Sequence, residues 1–96
     1  MRLWPFPLSG DVDMAVADEL RDKLLALANA TTGELVLDCT DLAFIDSMGI
    51  SAVMYVQRVL EIDRRRLHLE NLNGMARRAF DVLGLLEVID GERAPA

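Results

Sequence analysis

Cysteine, histidine and lysine each occur once in the 96 residues, as Cys39, His68 and Lys23. A lone cysteine closes no intramolecular disulfide, and one His with one Cys makes no zinc site of ordinary spacing. A catalytic triad needs a histidine placed beside its nucleophile, and no partner signature surrounds His68. No glycine-rich loop of the dinucleotide or P-loop kind is present to cradle phosphates. Long hydrophobic runs are also missing. Gly49 to Leu60 is interrupted by Ser51, Gln57 and Arg58 and falls short of the ~20 residues a bilayer span needs. The N-terminus, with Arg2 alone ahead of a proline-broken Leu3 to Leu8 and then Asp11 and Asp13, does not read as a signal peptide. Basic charge is scarce: ten Lys+Arg against sixteen Asp+Glu give a net charge of -6, the wrong sign for binding phosphate backbones or anionic lipid. The expectation is a cytoplasmic chain that is not an enzyme, holds no metal or cofactor, and binds neither nucleic acid nor membrane directly.

What is present is ordinary globular material, 52% hydrophobic and 27% charged, at a length that allows roughly 64% of the unfolded surface to be buried. Residues 1–96 are therefore read as one domain with one core. Pro5 and Pro7, between Trp4, Phe6 and Leu8, suit an extended edge segment. Val16, Leu20, Leu24 and Leu27 follow helical spacing after Asp13, a good N-cap type, and predict a helix from about Met14 to Ala28. Leu35 to Leu37 form a short apolar run ending at Asp38, the mark of a central strand buried on both faces. A connection through Thr40 and Asp41 leads to Phe44 and Ile45, expected to anchor the next turn in the core. The stretch from Ile50 to Leu60 predicts a largely buried helix, ended by Arg64, Arg65 and Arg66 as a solvated cationic turn. Met54 and Met75 are assigned to the core or its edge. Leu67 to Glu70 alternates like a strand, and a last helix runs from a cap at Asn73 to Gly84. Leu85 to Ile89 has no assignable pattern. Alternating strands and helices of this kind give an α/β layer with right-handed crossovers.

Few residues are left to carry chemistry. His68 is read as a structural or surface residue and Cys39 as a small buried hydrophobe. The acids Asp11, Asp13, Asp38 and Asp46 near strand ends invite comparison with a phosphoacceptor-aspartate receiver, but that fold needs a lysine at a late strand end, and Lys23 lies in the first helix. The remaining candidate is Asp46-Ser47-Met48-Gly49-Ile50. A serine at a helix start is ordinarily a cap. Gly49, however, leaves room for another backbone to approach, and free N–H groups at the helix start favour a phosphate. A larger residue at Gly49 should on this view spare folding and impair binding.

Taken in order, Gly10-Asp11-Val12-Asp13, Phe44-Ile45-Asp46-Ser47-Met48-Gly49-Ile50, Arg66 to Asn71, Arg77-Arg78-Ala79-Phe80 and Leu83-Gly84-Leu85 resemble the STAS domain of bacterial anti-sigma-factor antagonists. The resemblance runs from about Leu8 to Ile89. It implies a small mixed, mostly parallel β-sheet flanked by three to four helices, with a first strand shortened by its prolines and by the nine residues before Gly10. It also implies that Ser47 is phosphorylated by a partner serine kinase that doubles as an anti-sigma factor and brings its own ATP and magnesium. The unphosphorylated antagonist binds that kinase and releases the sigma factor, and a phosphatase resets the cycle. Asp13, Asp46, Met48, Gly49 and Ile50 would then belong to the docking surface, with Met48 replacing a residue that is small in many relatives. The alternative is a STAS subunit that does not switch, a scaffold in a signalling assembly or an accessory subunit of a lipid transporter.

Prolines protect an edge strand from pairing, and net negative charge opposes self-association. The chain is expected to be a monomer or weak dimer, to be checked by light scattering at low micromolar concentration. A tight dimer there would refute this.

Overall fold

Two prolines do not prevent the first strand from forming. In the computed structural model, which describes residues 3–85, strand β1 runs over the ten residues Leu3–Val12, so the expected shortening does not occur. Pro5 and Pro7 are two residues apart and therefore turn the same way. On an edge strand, donors missing from the outer side cost no ladder bond. Both are exposed, while Trp4 and Phe6 are half-buried and Leu8 is buried. Gly10 is not the turn expected of it but lies within the strand at φ +67, next to a register shift between Gly10 and Asp11.

Helix α1 (Met14–Ala30) follows, then β2 (Glu34–Ile45), α2 (Ser47–Ile62), β3 (Leu67–Glu70) and α3 (Gly74–Val82). The sheet has the order β1-β2-β3, and both pairings are parallel. This is the α/β architecture anticipated, with a purely parallel sheet and three helices among the described residues. Strand β2 is longer than its apolar run indicated. It advances two residues more than β1 over their shared length, so Thr40 and Asp41, expected as a connection, belong to an irregular stretch of strand. Bulges of this kind place exposed polar residues inside a strand and make it read as a loop.

Register fixes the faces. Trp4 pairs with Leu35 and Phe6 with Leu37, while Leu35 and Leu37 pair with Leu67 and Leu69, so these six side chains share one face. They meet Leu20 and Leu24 of α1, Val53, Val56 and Leu60 of α2, and Ala76 and Phe80 of α3 in one hydrophobic cluster. Each fully buried leucine or valine here stabilises the fold by about 1.5–3 kcal/mol. The buried stripe of α1 is Ala17, Leu20, Leu24 and Ala28, which leaves Val16 36% exposed. Met54 packs against the cluster as expected, but Met75 is 66% exposed, because Ala76 and Phe80 already point α3's apolar side inward. Leu85 packs on the cluster's margin; the rest of the segment Leu85 to Ile89 lies outside the described residues.

On the second face His68 is buried, and its Nε2 contacts Glu34 Oε1 across the β2–β3 pairing. Cys39 is buried as expected. Burial, aided by the nearby Asp38 charge, pushes its thiol up to about 12, which makes it unreactive. No group of three metal-binding side chains occurs among the described residues. No helix of the described residues is long and apolar enough to cross a membrane.

The cationic turn after α2 is not simply solvated. Arg65 donates from Nε to Gly33 O at 2.7 Å, from Nη1 to Ala28 O at 2.7 Å and from Nη2 to Thr31 Oγ1 at 2.9 Å. It thereby satisfies a terminal carbonyl of α1 and holds the α1–β2 turn against the end of α2. Hydrogen bonds from a charged donor contribute about 1.5–3 kcal/mol each before losses are shared. Arg65→Ala is expected to lower the unfolding free energy by about 2–3 kcal/mol in urea titration. Arg65→Lys should recover less than half of that, since an ammonium cannot reproduce the three-pronged geometry.

Candidate functional site

The C-terminal ends of β1 and β2 deliver Asp13 and Asp46 to the starts of α1 and α2. Asp13 is the N-cap of α1, its Oδ1 accepting from Ala15 N at 3.0 Å. Asp46 caps two helices at once. Its Oδ1 accepts from Gly49 N at 2.9 Å, and its Oδ2 accepts from Met14 N at 3.0 Å. Its own backbone N–H donates to Val12 O at 3.1 Å, which ties the end of β1 to the same point. Asp46 is therefore a structural joint, which the sequence reading of it as docking surface did not foresee.

Gly49 and Ile50 are buried, Ile50 to 4%. A β-carbon on Gly49 would stand 2.7 Å from Val12 O, 2.7 Å from Ile45 Cγ1 and 2.9 Å from Val12 Cγ1. The close backbone anticipated at Gly49 is thus the chain's own β1. This corrects the expectation that a larger residue there would spare folding. Ile50 sits in the hydrophobic cluster and presents nothing outward. Ile45 is likewise core, but Phe44, expected beside it, is 37% exposed because successive strand residues face opposite ways.

A family profile described as "Mlab, STAS domain" matches residues 7–90 of the chain. The chain belongs to the STAS-domain family. A curated relative, the anti-sigma-B factor antagonist of Bacillus subtilis (strain 168), is 31% identical over 83 residues, covering 86% of this chain and 75% of the relative. The structure entitled the anti-sigma factor antagonist SpoIIAA in its unphosphorylated form superposes with a TM-score of 0.66 at 26% identity, over 80% of this chain and 71% of that one. A sulfate transporter family protein from Wolinella succinogenes gives a TM-score of 0.76 at 22% identity, over 91% of this chain and 70% of that one, a likeness of fold alone.

On this STAS scaffold Ser47 is exposed at the first position of α2. It is not the cap; Asp46 is. Neither the Ser47 hydroxyl nor the Ser47 and Met48 amides have a hydrogen-bond partner among the described residues. Three large apolar residues at the two helix starts and the end of β2 keep exposed surface, Met14 at 71%, Met48 at 48% and Phe44 at 37%. Met48 was anticipated. Met14 and Phe44 were not, although both stand next to a capping or strand-end position and outside any buried stripe. Asp38, grouped at first with the strand-end acids, lies within β2 and away from this cluster. Its carboxyl is held below the ordinary value by hydrogen bonds from the Thr40 and Asn71 side chains and the Thr40 amide.

These contacts separate fold-holding residues from displayed ones. Gly49→Ala is expected to destabilise the domain by about 1–3 kcal/mol through overpacking, against the gain of up to about 1 kcal/mol that helix propensity alone would give. Asp46→Ala, losing caps on two helices, should cost about 2 kcal/mol. Ser47→Ala should stay within about 0.5 kcal/mol of the parent. Equilibrium unfolding in urea measures all three.

Proposed function

We propose that this STAS domain is a regulatory binding protein and not an enzyme, an anti-sigma-factor antagonist whose affinity for a serine kinase and anti-sigma factor is set by phosphate on Ser47. The observation that carries the reading is the division of labour at the start of α2. Serine at a helix start is ordinarily there to cap, but Asp46 supplies that oxygen, leaving an exposed Ser47 with no bonding duty in the fold. The similarity to an anti-sigma-B factor antagonist supports the same reading.

Docking uses Ser47 and Met48 directly, with Met14 and Phe44 as an apolar rim. Asp13, Asp46, Gly49 and Ile50 act from beneath by fixing the two helix starts. The kinase brings ATP and magnesium, and a phosphatase restores the free hydroxyl. Release of a sigma factor by the unphosphorylated form makes the cycle a partner switch that regulates transcription.

Phosphorylation adds about -1.5 to -2 charges next to Asp46. The helix N-terminus offsets part of that by roughly 0.3–2 kcal/mol, so the fold survives. Within an interface the balance reverses, because an uncompensated buried charge costs several kcal/mol. A cost of about 4 kcal/mol corresponds to nearly a thousandfold in affinity.

The test is incubation with the cognate kinase and Mg-ATP, followed by mass spectrometry and calorimetric titration. Label is expected on Ser47 alone, with binding weakened about a thousandfold. Ser47→Ala should bind and resist modification, and Ser47→Asp should fold and bind poorly. Label on Thr40 or Ser51, or affinity indifferent to modification of Ser47, would overturn the switch in favour of a non-switching scaffold subunit.

A further inference from the structure

The displayed side of α2 continues past Met48. Met48, Tyr55 and Arg58 line a groove whose opposite wall is α1, with Ala17, Arg21 and Ala52 among its lining residues. Helices α1 and α2 start side by side, joined through Asp46, so the groove opens beside Ser47. From Met48 to Arg58 it runs about 15 Å, at about 1.5 Å per helical residue. Ala17 and Ala52 are small and buried, while Met48 and Tyr55 remain 48% and 46% exposed. Charge is distributed unevenly along it. Asp13 and Asp46 cap the two helices beyond its Ser47 end, Asp18 and Arg21 line its α1 side, and Arg58 stands at its far end. Arg21 is shared with Asp18 and Asp22, both at 3.5 Å. Arg58 makes no ion pair among the described residues.

We propose that this groove seats an amphipathic helical segment of the partner protein, with apolar side chains against Met48 and Tyr55 and a carboxylate on Arg58. The inference rests on the partner-switching reading and extends it from the phosphoacceptor to a recognition surface. A floor of Ala17 and Ala52, between Met48 and Tyr55 on the α2 side and Asp18 and Arg21 on the α1 side, accepts a ridge of side chains, and its length matches about two to three helical turns with anchors at i, i+3 or i+4, and i+7. A paired strand does not suit it, since helix faces offer no free ladder groups. A second copy of this chain would present another groove and not a ridge. Complementary charge then sets direction: on a chain of net charge -6, a guanidinium with no ion pair among the described residues, at one end of the groove, admits an acidic residue there and disfavours the reversed orientation.

The experiment is calorimetric titration of the cognate kinase with the full chain and its Tyr55→Ala, Arg58→Glu, Arg58→Lys and Ser47→Asp variants, alongside thermal melts. Both Tyr55 and Arg58 are exposed, so melting should be unchanged. Tyr55→Ala is expected to weaken binding about tenfold to thirtyfold, in the range of interface anchors. Arg58→Glu should weaken it about thirtyfold with a reduced salt dependence, while Arg58→Lys keeps most of the affinity. Full affinity in Tyr55→Ala and Arg58→Glu, with Ser47→Asp still weak, would overturn the groove and leave the switch standing. Full affinity in all three would overturn both, as would a kinase that ignores the parent chain. A concentration-dependent dimer dissolved by Tyr55→Ala would assign the groove to a second copy and refute the proposal.

Discussion

Asp46 is the contact on which the geometry of this domain depends. Two helices of successive crossovers begin with amide groups that no intrahelical carbonyl can satisfy, and one carboxylate serves both, at 2.9 and 3.0 Å. The same residue's N–H is bonded to Val12 O. The end of β1, the start of α1 and the start of α2 are thus fixed to one residue that directly follows β2. Separate caps would hold each helix as well, but would not fix one start against the other.

That joint demands closeness, and Gly49 supplies it. Glycine inside a helix costs about 1 kcal/mol against alanine, a loss that would be selected against on an open surface. Here the space a β-carbon needs is already occupied by Val12 O and Ile45 Cγ1, both at 2.7 Å. Steric exclusion outweighs propensity, and α2 approaches β1 as closely as its backbone allows. At the other end of the layer Arg65 closes the α1–β2 turn against α2 with three hydrogen bonds, so the α1–α2 pair is tied at both ends by long-range polar contacts over an apolar middle.

Much of this was legible in the residues. The order of elements, the doubly buried Leu35 to Leu37, the exposed Met48 and the glycine at the end of α3 all follow from local rules, Gly84 having φ +69. What failed to show did so for identifiable reasons. Pro5 and Pro7 argued for a shortened strand because composition does not say which side of an edge strand lacks donors. Thr40 and Asp41 looked like a loop because a bulged strand exposes consecutive polar residues. Arg65 is indistinguishable in sequence from Arg64 and Arg66, yet only its position lets it reach three acceptors on another element. Asp46 and Gly49 were recognised as important, but their work proved internal. A spacing pattern can place a residue at a helix start; it cannot tell whether the neighbouring backbone belongs to a partner or to the chain itself.

The same distinction explains how one hydroxyl can be chemically available without being structurally missed. In many helices the serine at the start is the cap, and modifying it would remove an acceptor and loosen the first turn. Displacing the capping duty by one residue, onto Asp46, relieves Ser47 of that role. Charge added at Ser47 then leaves every bond of the joint in place: the two caps, the Val12 tie and the packing around Gly49. It adds only a local repulsion from carboxylates, countered in part by the positive ends of two adjacent helix dipoles. The domain's stability therefore depends weakly on the state of Ser47, whereas any surface pressed against Met14, Met48 and Phe44 must desolvate the added charge. In the proposed switch, that asymmetry is what would let a small fold change its affinity without changing its shape.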